Sequence, residues 1–130
     1  MRIGERNKQL AKEQLELALR HFERVQAAWD HPTNWEVLAT FGFYCLEAAI
    51  VAAAIYLNWS FKRTHPGKAE IADRLYEEKG FPDISGLLWD MNEARKSIAY
   101  GDIDFPSLNA EDVAIEIEKY IQRVKKLIEE

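Results

Sequence analysis

Phe41-Gly-Phe-Tyr-Cys-Leu-Glu-Ala-Ala-Ile-Val-Ala-Ala-Ala-Ile-Tyr-Leu57 is the stretch that decides the fold. It has 17 residues, is apolar nearly all round, and carries one charge, Glu47. A transmembrane helix takes about 20 apolar residues, so this run falls short of a span and has a carboxylate inside it. A helix without a polar face belongs at the centre of a bundle. Its alanines permit close approach by neighbouring helices. The expectation is a buried central helix from about Asn34 to Phe61, with no membrane partner.

Working toward the N-terminus, Leu10, Leu17, Ala18, Phe22, Val25, Ala28 and Trp29 recur at spacings of three, four and seven. That pattern predicts an amphipathic helix over about Glu5 to Asp30, with His21 on or beside the stripe. His31-Pro32 interrupts it, because proline disfavours helical geometry in the residue before it. Thr33 and Glu36 stand at capping-box spacing, so the central helix folds straight back as an αα-hairpin.

Toward the C-terminus, Arg63-Thr-His-Pro-Gly67 reads as a loop from its Pro-Gly signal. A shorter helix is expected over Lys68 to Lys79, stopped by Gly80. Asp83 is placed to cap a fourth helix from Ile84 to Ala99 or Tyr100. Its stripe is Ile84, Leu87, Leu88, Met91, Ala94 and Ile98, and Gly101 ends it. Asn109 caps a fifth helix, with Val113, Ile117, Tyr120, Ile121, Val124 and Ile128 down one side. The expected fold is all-α, a single domain over residues 1–130, built as an antiparallel up-and-down bundle of four to five helices.

Composition narrows the function classes. The chain has 130 residues, 48% hydrophobic and 30% charged, with a formal net charge of −5. Arg123-Val-Lys-Lys126 is the one basic run, and it suits the last turns of a helix. Broad electrostatic binding to nucleic acid is therefore not expected, although a local site for RNA or a nucleotide is compatible. Cys45 is the single cysteine, so no internal disulfide forms, and a reducing cytoplasm fits. The charged N-terminus lacks the apolar core of a signal peptide. Trp29, Trp35, Trp59 and Trp89 lie near helix ends or flanks, a placement suited to the margin of a core or interface.

Chemistry concentrates at few residues. Glu47 has no polar side of its helix to occupy. Arg95 is four residues after Met91 and three before Ile98, so it points along an apolar stripe. A buried unpaired charge costs several kcal/mol, and arginine does not readily neutralise. Either Glu47 and Arg95 face each other, or Arg95 opens onto a cleft or subunit boundary. Tyr100 turns toward Arg95 only if the last helical turn departs from ideal geometry. His21, His31 and His65 have no metal-ligand spacing to one another or to Cys45. Asp102 and Asp104 are too few for a hard cation. His65-Pro-Gly-Lys68 lacks the pattern of a phosphate loop. Ser97 reads as a helix-surface serine. Neither a metal nor a cofactor is expected.

Two segments carry a resemblance to a known family. Phe43-Tyr-Cys-Leu-Glu-Ala-Ala49 is similar to the second-helix segment of HEPN domains. Asn92-Glu-Ala-Arg-Lys-Ser-Ile-Ala-Tyr-Gly-Asp102 resembles their fourth-helix motif, in which Arg is followed after four to six residues by His, or in some branches by Tyr and Gly. The resemblance implies a bundle that forms a homodimer, with the two Arg motifs at a shared cleft. It implies Arg95 and Tyr100 as the catalytic pair, Arg95 on the scissile phosphate and Tyr100 in the position of the motif histidine. Glu47 is then the residue that holds Arg95. Many such domains are metal-independent endoribonucleases, including toxins, and others bind nucleotides or act as scaffolds. A phenol is a poor general base near neutral pH, and Ile50-Val51 replaces a charged pair common in small members of the family. The expected function is thus an RNA- or nucleotide-binding or interaction module with a degenerate site. Its place would be a toxin–antitoxin or defence system, beside a nucleotidyltransferase or antitoxin partner. The alternative is a metal-independent endoribonuclease acting as a homodimer.

Overall fold

The computed structural model describes residues 3–28, 33–101 and 108–129. Five helices follow one another: α1 (Ile3–Ala28), α2 (Trp35–Tyr56), α3 (His65–Lys79), α4 (Ser85–Ala99) and α5 (Ala110–Glu129). No strand occurs among the described residues, and the fold is an all-α bundle.

α2 is the axis of the structure because it alone packs against all four other helices. Its small residues make this possible: Ala39, Ala49, Ala52, Ala53 and Ala54 are fully enclosed, and Gly42 sits against Met91, Ile117 and Val25. By length and mean hydropathy, 1.9 over its most apolar stretch, α2 passes as a membrane span. Of that stretch 78% is buried inside the bundle, and the apolar surface that a bilayer would cover is covered by α1, α3, α4 and α5.

The core face of α1 is Ala11, Leu15, Ala18, Phe22, Val25 and Ala28. Leu10, expected on this face, is exposed, because the seam runs one position further along the helix, through Ala11. Trp29, His31 and Pro32 lie outside the described residues. The α1–α2 connection closes with Asn34 N–H donating to Ala28 O at 2.8 Å. Asn34, rather than Thr33, is the N-cap of α2, its Oδ1 accepting from Val37 N–H at 3.1 Å.

α2 stops at Tyr56, five residues short of the expected end. Asn58 takes a left-handed backbone (φ 58°), a conformation Asn tolerates and that terminates helices. α3 begins three residues earlier than expected. Thr64 caps it, Gly67 N–H donating to Thr64 Oγ1 at 3.0 Å. Pro66 falls in the first turn, where a missing N–H costs nothing. The Pro-Gly pair is thus a helix start and not a loop.

Asp83 does not cap α4 as a helix N-cap would. Ile84 occupies the cap position, while Asp83 Oδ1 accepts from Ser85 N–H and Ser85 Oγ–H at 3.0 and 2.8 Å. These bonds hold the Asp83 carboxyl below its ordinary range. α5 starts as expected, Asn109 Oδ1 accepting from Asp112 N–H at 3.0 Å. α5 also clamps the α3–α4 turn: Phe81 packs edge-on against Tyr120, and Arg123 lies over Phe81 while donating to Lys79 O at 2.9 Å.

Candidate functional site

Three helices, α1, α3 and α4, present polar groups along one strip of α2, and Phe43, Tyr44 and Glu47 form its floor. These three share a face because they lie three and four residues apart. Glu47 is deeply buried, its side chain 7% exposed. It is not joined to Arg95. Its Oε2 lies 2.6 Å from His65 Nδ1, and its Oε1 lies 3.6 Å from Lys68 Nζ. Both partners of this carboxylate come from the first turn of α3, the segment expected as a loop. A carboxylate accepts only, so His65 Nδ1 is the donor. That leaves Nε2 as the second ring nitrogen of a side chain 47% exposed.

Arg95 is half-buried and turns to other partners. Its Nη2 donates to Asn92 Oδ1 at 2.6 Å. Its guanidinium lies over Phe43 and Tyr44, 5.3 and 5.8 Å from their ring centroids. No carboxylate pairs with it among the described residues, and its buried Nε has no hydrogen-bond partner there. The Phe43 ring also packs edge-on against His65, centroids 5.1 Å apart. Arg95 and His65 therefore flank one aromatic ring.

Tyr44 links this point to α1. His21 stacks obliquely on Tyr44 and Phe41 at 6.1 and 5.6 Å, and Arg24 covers Phe41 at 4.5 Å. Burial, then Arg24 and Arg20, push the His21 imidazole below its ordinary value of 6.5. Between α1, α2 and the α3 approach lies a shallow pocket walled by His21, Tyr44, Glu47, Arg63 and Lys68. Arg63 and Lys68 thus wall the pocket beside the Glu47 carboxylate, while Arg24 and Arg95 lie over the neighbouring aromatic rings.

Tyr100 does not turn back toward Arg95. It is the C-cap of α4 and is 79% exposed. Asp102 and Asp104 lie outside the described residues. No three-residue cluster of metal-ligating side chains occurs among the described residues. Cys45 is buried inside the bundle, its thiol donating to Ala18 O at 3.2 Å, and burial pushes its pKa up to about 12. It is a core residue and not a nucleophile.

Sequence reasoning singled out Arg95 and Glu47 as site residues, and Phe43 and Tyr44 entered it only within a segment of family resemblance. It missed His65 and Lys68. The signal available for them was Thr64-His-Pro-Gly67 read as a capped helix start, which places His65 and Lys68 on one side of a first turn. Compared with family models, curated proteins and solved structures, the chain has no match.

Proposed function

We propose that this chain is a HEPN-like RNA- or nucleotide-binding module whose phosphate site is centred on Arg95. The observation that carries this is the guanidinium itself. It lies on Phe43 and Tyr44, has no carboxylate partner among the described residues, and keeps a buried Nε without an acceptor. Arginine offers five donors in a planar fork matched to phosphate oxygens. Asn92 holds one end of the fork and leaves the rest to a ligand. Lys68 and Arg63 add positive charge on the same strip of α2, while aromatic faces suit a base or ribose.

The module is proposed to work as a homodimer paired through α4, in keeping with a toxin–antitoxin or defence role. Trp89 and Tyr100 are the most exposed large apolar residues. With Glu93 and Lys96 they form one stripe, eleven residues spanning about three turns. Antiparallel pairing of two copies sets Trp89 against Tyr100 and Glu93 against Lys96, the self-complementarity a two-fold interface requires.

The test is fluorescence anisotropy with a labelled single-stranded RNA at low salt. The wild type binds, and Arg95→Ala weakens binding at least tenfold and lowers the salt slope by about one. Equal binding by both proteins would refute the assignment. The alternative, endoribonuclease activity, is favoured by one observation, the Glu47–His65 contact beside Arg95.

A further inference from the structure

We infer that the pocket between α1 and α2 is a binding site for a small carboxylate with an aromatic body, anchored by Arg63. It stands apart from the RNA-binding function proposed above, because Arg95 does not line this pocket.

Helical spacing builds the pocket. Gln14, Leu17 and His21 share one face of α1, and Tyr44, Ala48 and Val51 share one face of α2. From Gln14 to His21 is two turns of helix, about 10 Å. The pocket volume is about 200 Å³. Pockets for drug-sized ligands are larger, about 300–1,000 Å³, so a molecule the size of one substituted ring fits. Leu17, Ala48 and Val51 supply an apolar lining. The His21 and Tyr44 rings, 6.1 Å apart and inclined at 52°, supply an aromatic one.

Charge decides what that molecule carries. Glu47 is the one carboxylate lining the pocket among the described residues. It is closed to a ligand cation, because His65 meets one oxygen at 2.6 Å, Lys68 meets the other at 3.6 Å, and the side chain is buried. The same contact cancels the charge of Lys68. Burial, then Arg24 and Arg20, hold His21 below its ordinary value, so its ring is a neutral wall near pH 7. Arg63 is left over. It has no carboxylate partner among the described residues. Its guanidinium lies over the Phe61 ring, 5.1 Å from the centroid. Stacking occupies the face of the fork and leaves its edge donors for a planar, bidentate carboxylate. One uncompensated positive charge matches a monoanion. A phosphate monoester carries close to two negative charges near neutral pH, and one of them would lie unbalanced beside Glu47.

The experiment titrates the isotope-labelled full chain with benzoate, benzamide and acetate and follows the backbone amides. Benzoate should saturate, with half-occupancy at about 1 mM or below, and should shift Leu17, His21, Tyr44, Ala48 and Val51. Benzamide keeps the ring and loses the charge, and acetate keeps the charge and loses the ring. Each should bind at least about tenfold more weakly, the loss of one such contact. Arg63 is exposed, so Arg63→Ala should keep the fold and weaken benzoate at least about tenfold, with Arg63→Lys between it and wild type. No saturable shift, shifts centred instead on Asn92 to Arg95, or equal binding of benzamide or acetate would overturn the inference. Equal binding of benzoate by Arg63→Ala would overturn it too. So would tighter binding of phenyl phosphate than of benzoate, which would assign the pocket to phosphate esters. The Arg95 site stands or falls separately, on its own titration with RNA.

Discussion

His65 Nδ1 meets Glu47 Oε2 at 2.6 Å, across eighteen residues and between two helices. The contact does two jobs at once. It supplies a partner for a carboxylate buried in the central helix, and it fastens the start of α3 to α2. The phosphate site proposed on this face is linked to that anchor through Phe43, whose ring lies against both His65 and Arg95.

Removing the imidazole should therefore cost stability. His65→Ala leaves Glu47 with Lys68 alone, and hydrogen bonds to charged groups contribute about 1.5–3 kcal/mol. With the ring half exposed, a loss of about 1.5 kcal/mol is expected in urea unfolding. In a double-mutant cycle with Glu47→Gln, the two substitutions should be non-additive by about 1 kcal/mol. Additive losses would mean the contact contributes nothing.

Two glycines in first helical turns should respond oppositely to alanine. Gly86 has open space around it, and Gly86→Ala should stabilise by about 0.5 kcal/mol through helix propensity. Gly67 faces the Lys62 carbonyl, and Gly67→Ala should destabilise by about 2 kcal/mol or more through overpacking. Chemical denaturation of both variants checks the pair.

Tyr120 is fully buried, and its hydroxyl has no hydrogen-bond partner among the described residues. Burial, then Asp73, raise its pKa. Deleting an unsatisfied buried hydroxyl removes a desolvation cost, so Tyr120→Phe should be neutral or up to about 1 kcal/mol more stable. A loss of more than about 1 kcal/mol by calorimetry would contradict this.

Alkaline pH should weaken the fold through Cys45. Its folded value of about 12 lies above the ordinary 9.0, so the unfolded chain sheds the thiol proton first. The contribution is fully present below pH 9 and is lost as pH rises from there toward 12. By pH 10 about 1.4 kcal/mol of it is lost. The stability gap between wild type and Cys45→Ala should narrow by that amount between pH 8 and pH 10, as read from urea midpoints.

Much of this fold was legible beforehand, and the reason is visible in α2. An all-round apolar run can only be a central helix, and three other stripes had clear periods to pack on it. The ends were harder. Proline and glycine at 66 and 67 look like a loop until Thr64 is recognised as a cap. Glu47 was identifiable as a buried charge in need of a partner, because periodicity reports burial. Periodicity does not report which distant side chain meets it, and the partner came from α3 instead of α4. Arg95 turns instead to Asn92 and to the Phe43 and Tyr44 rings. Tyr100 faces solvent because α4 continues regularly to its cap instead of loosening.

The α4 stripe makes a separate claim about assembly. Trp89→Lys should convert the dimer to a monomer on a sizing column with the helical content unchanged, since Trp89 touches solvent and not the core. A wild type that elutes as a monomer at tens of micromolar would remove the proposed pairing.

The most direct test of the central claim is a map of where RNA lands. Amide spectra of the labelled protein should be recorded during titration with a short single-stranded RNA. The account predicts shifts concentrated at Phe43, Tyr44, His65 to Lys68 and Asn92 to Arg95. Shifts confined to the basic end of α5, or none anywhere at saturating RNA, would contradict it.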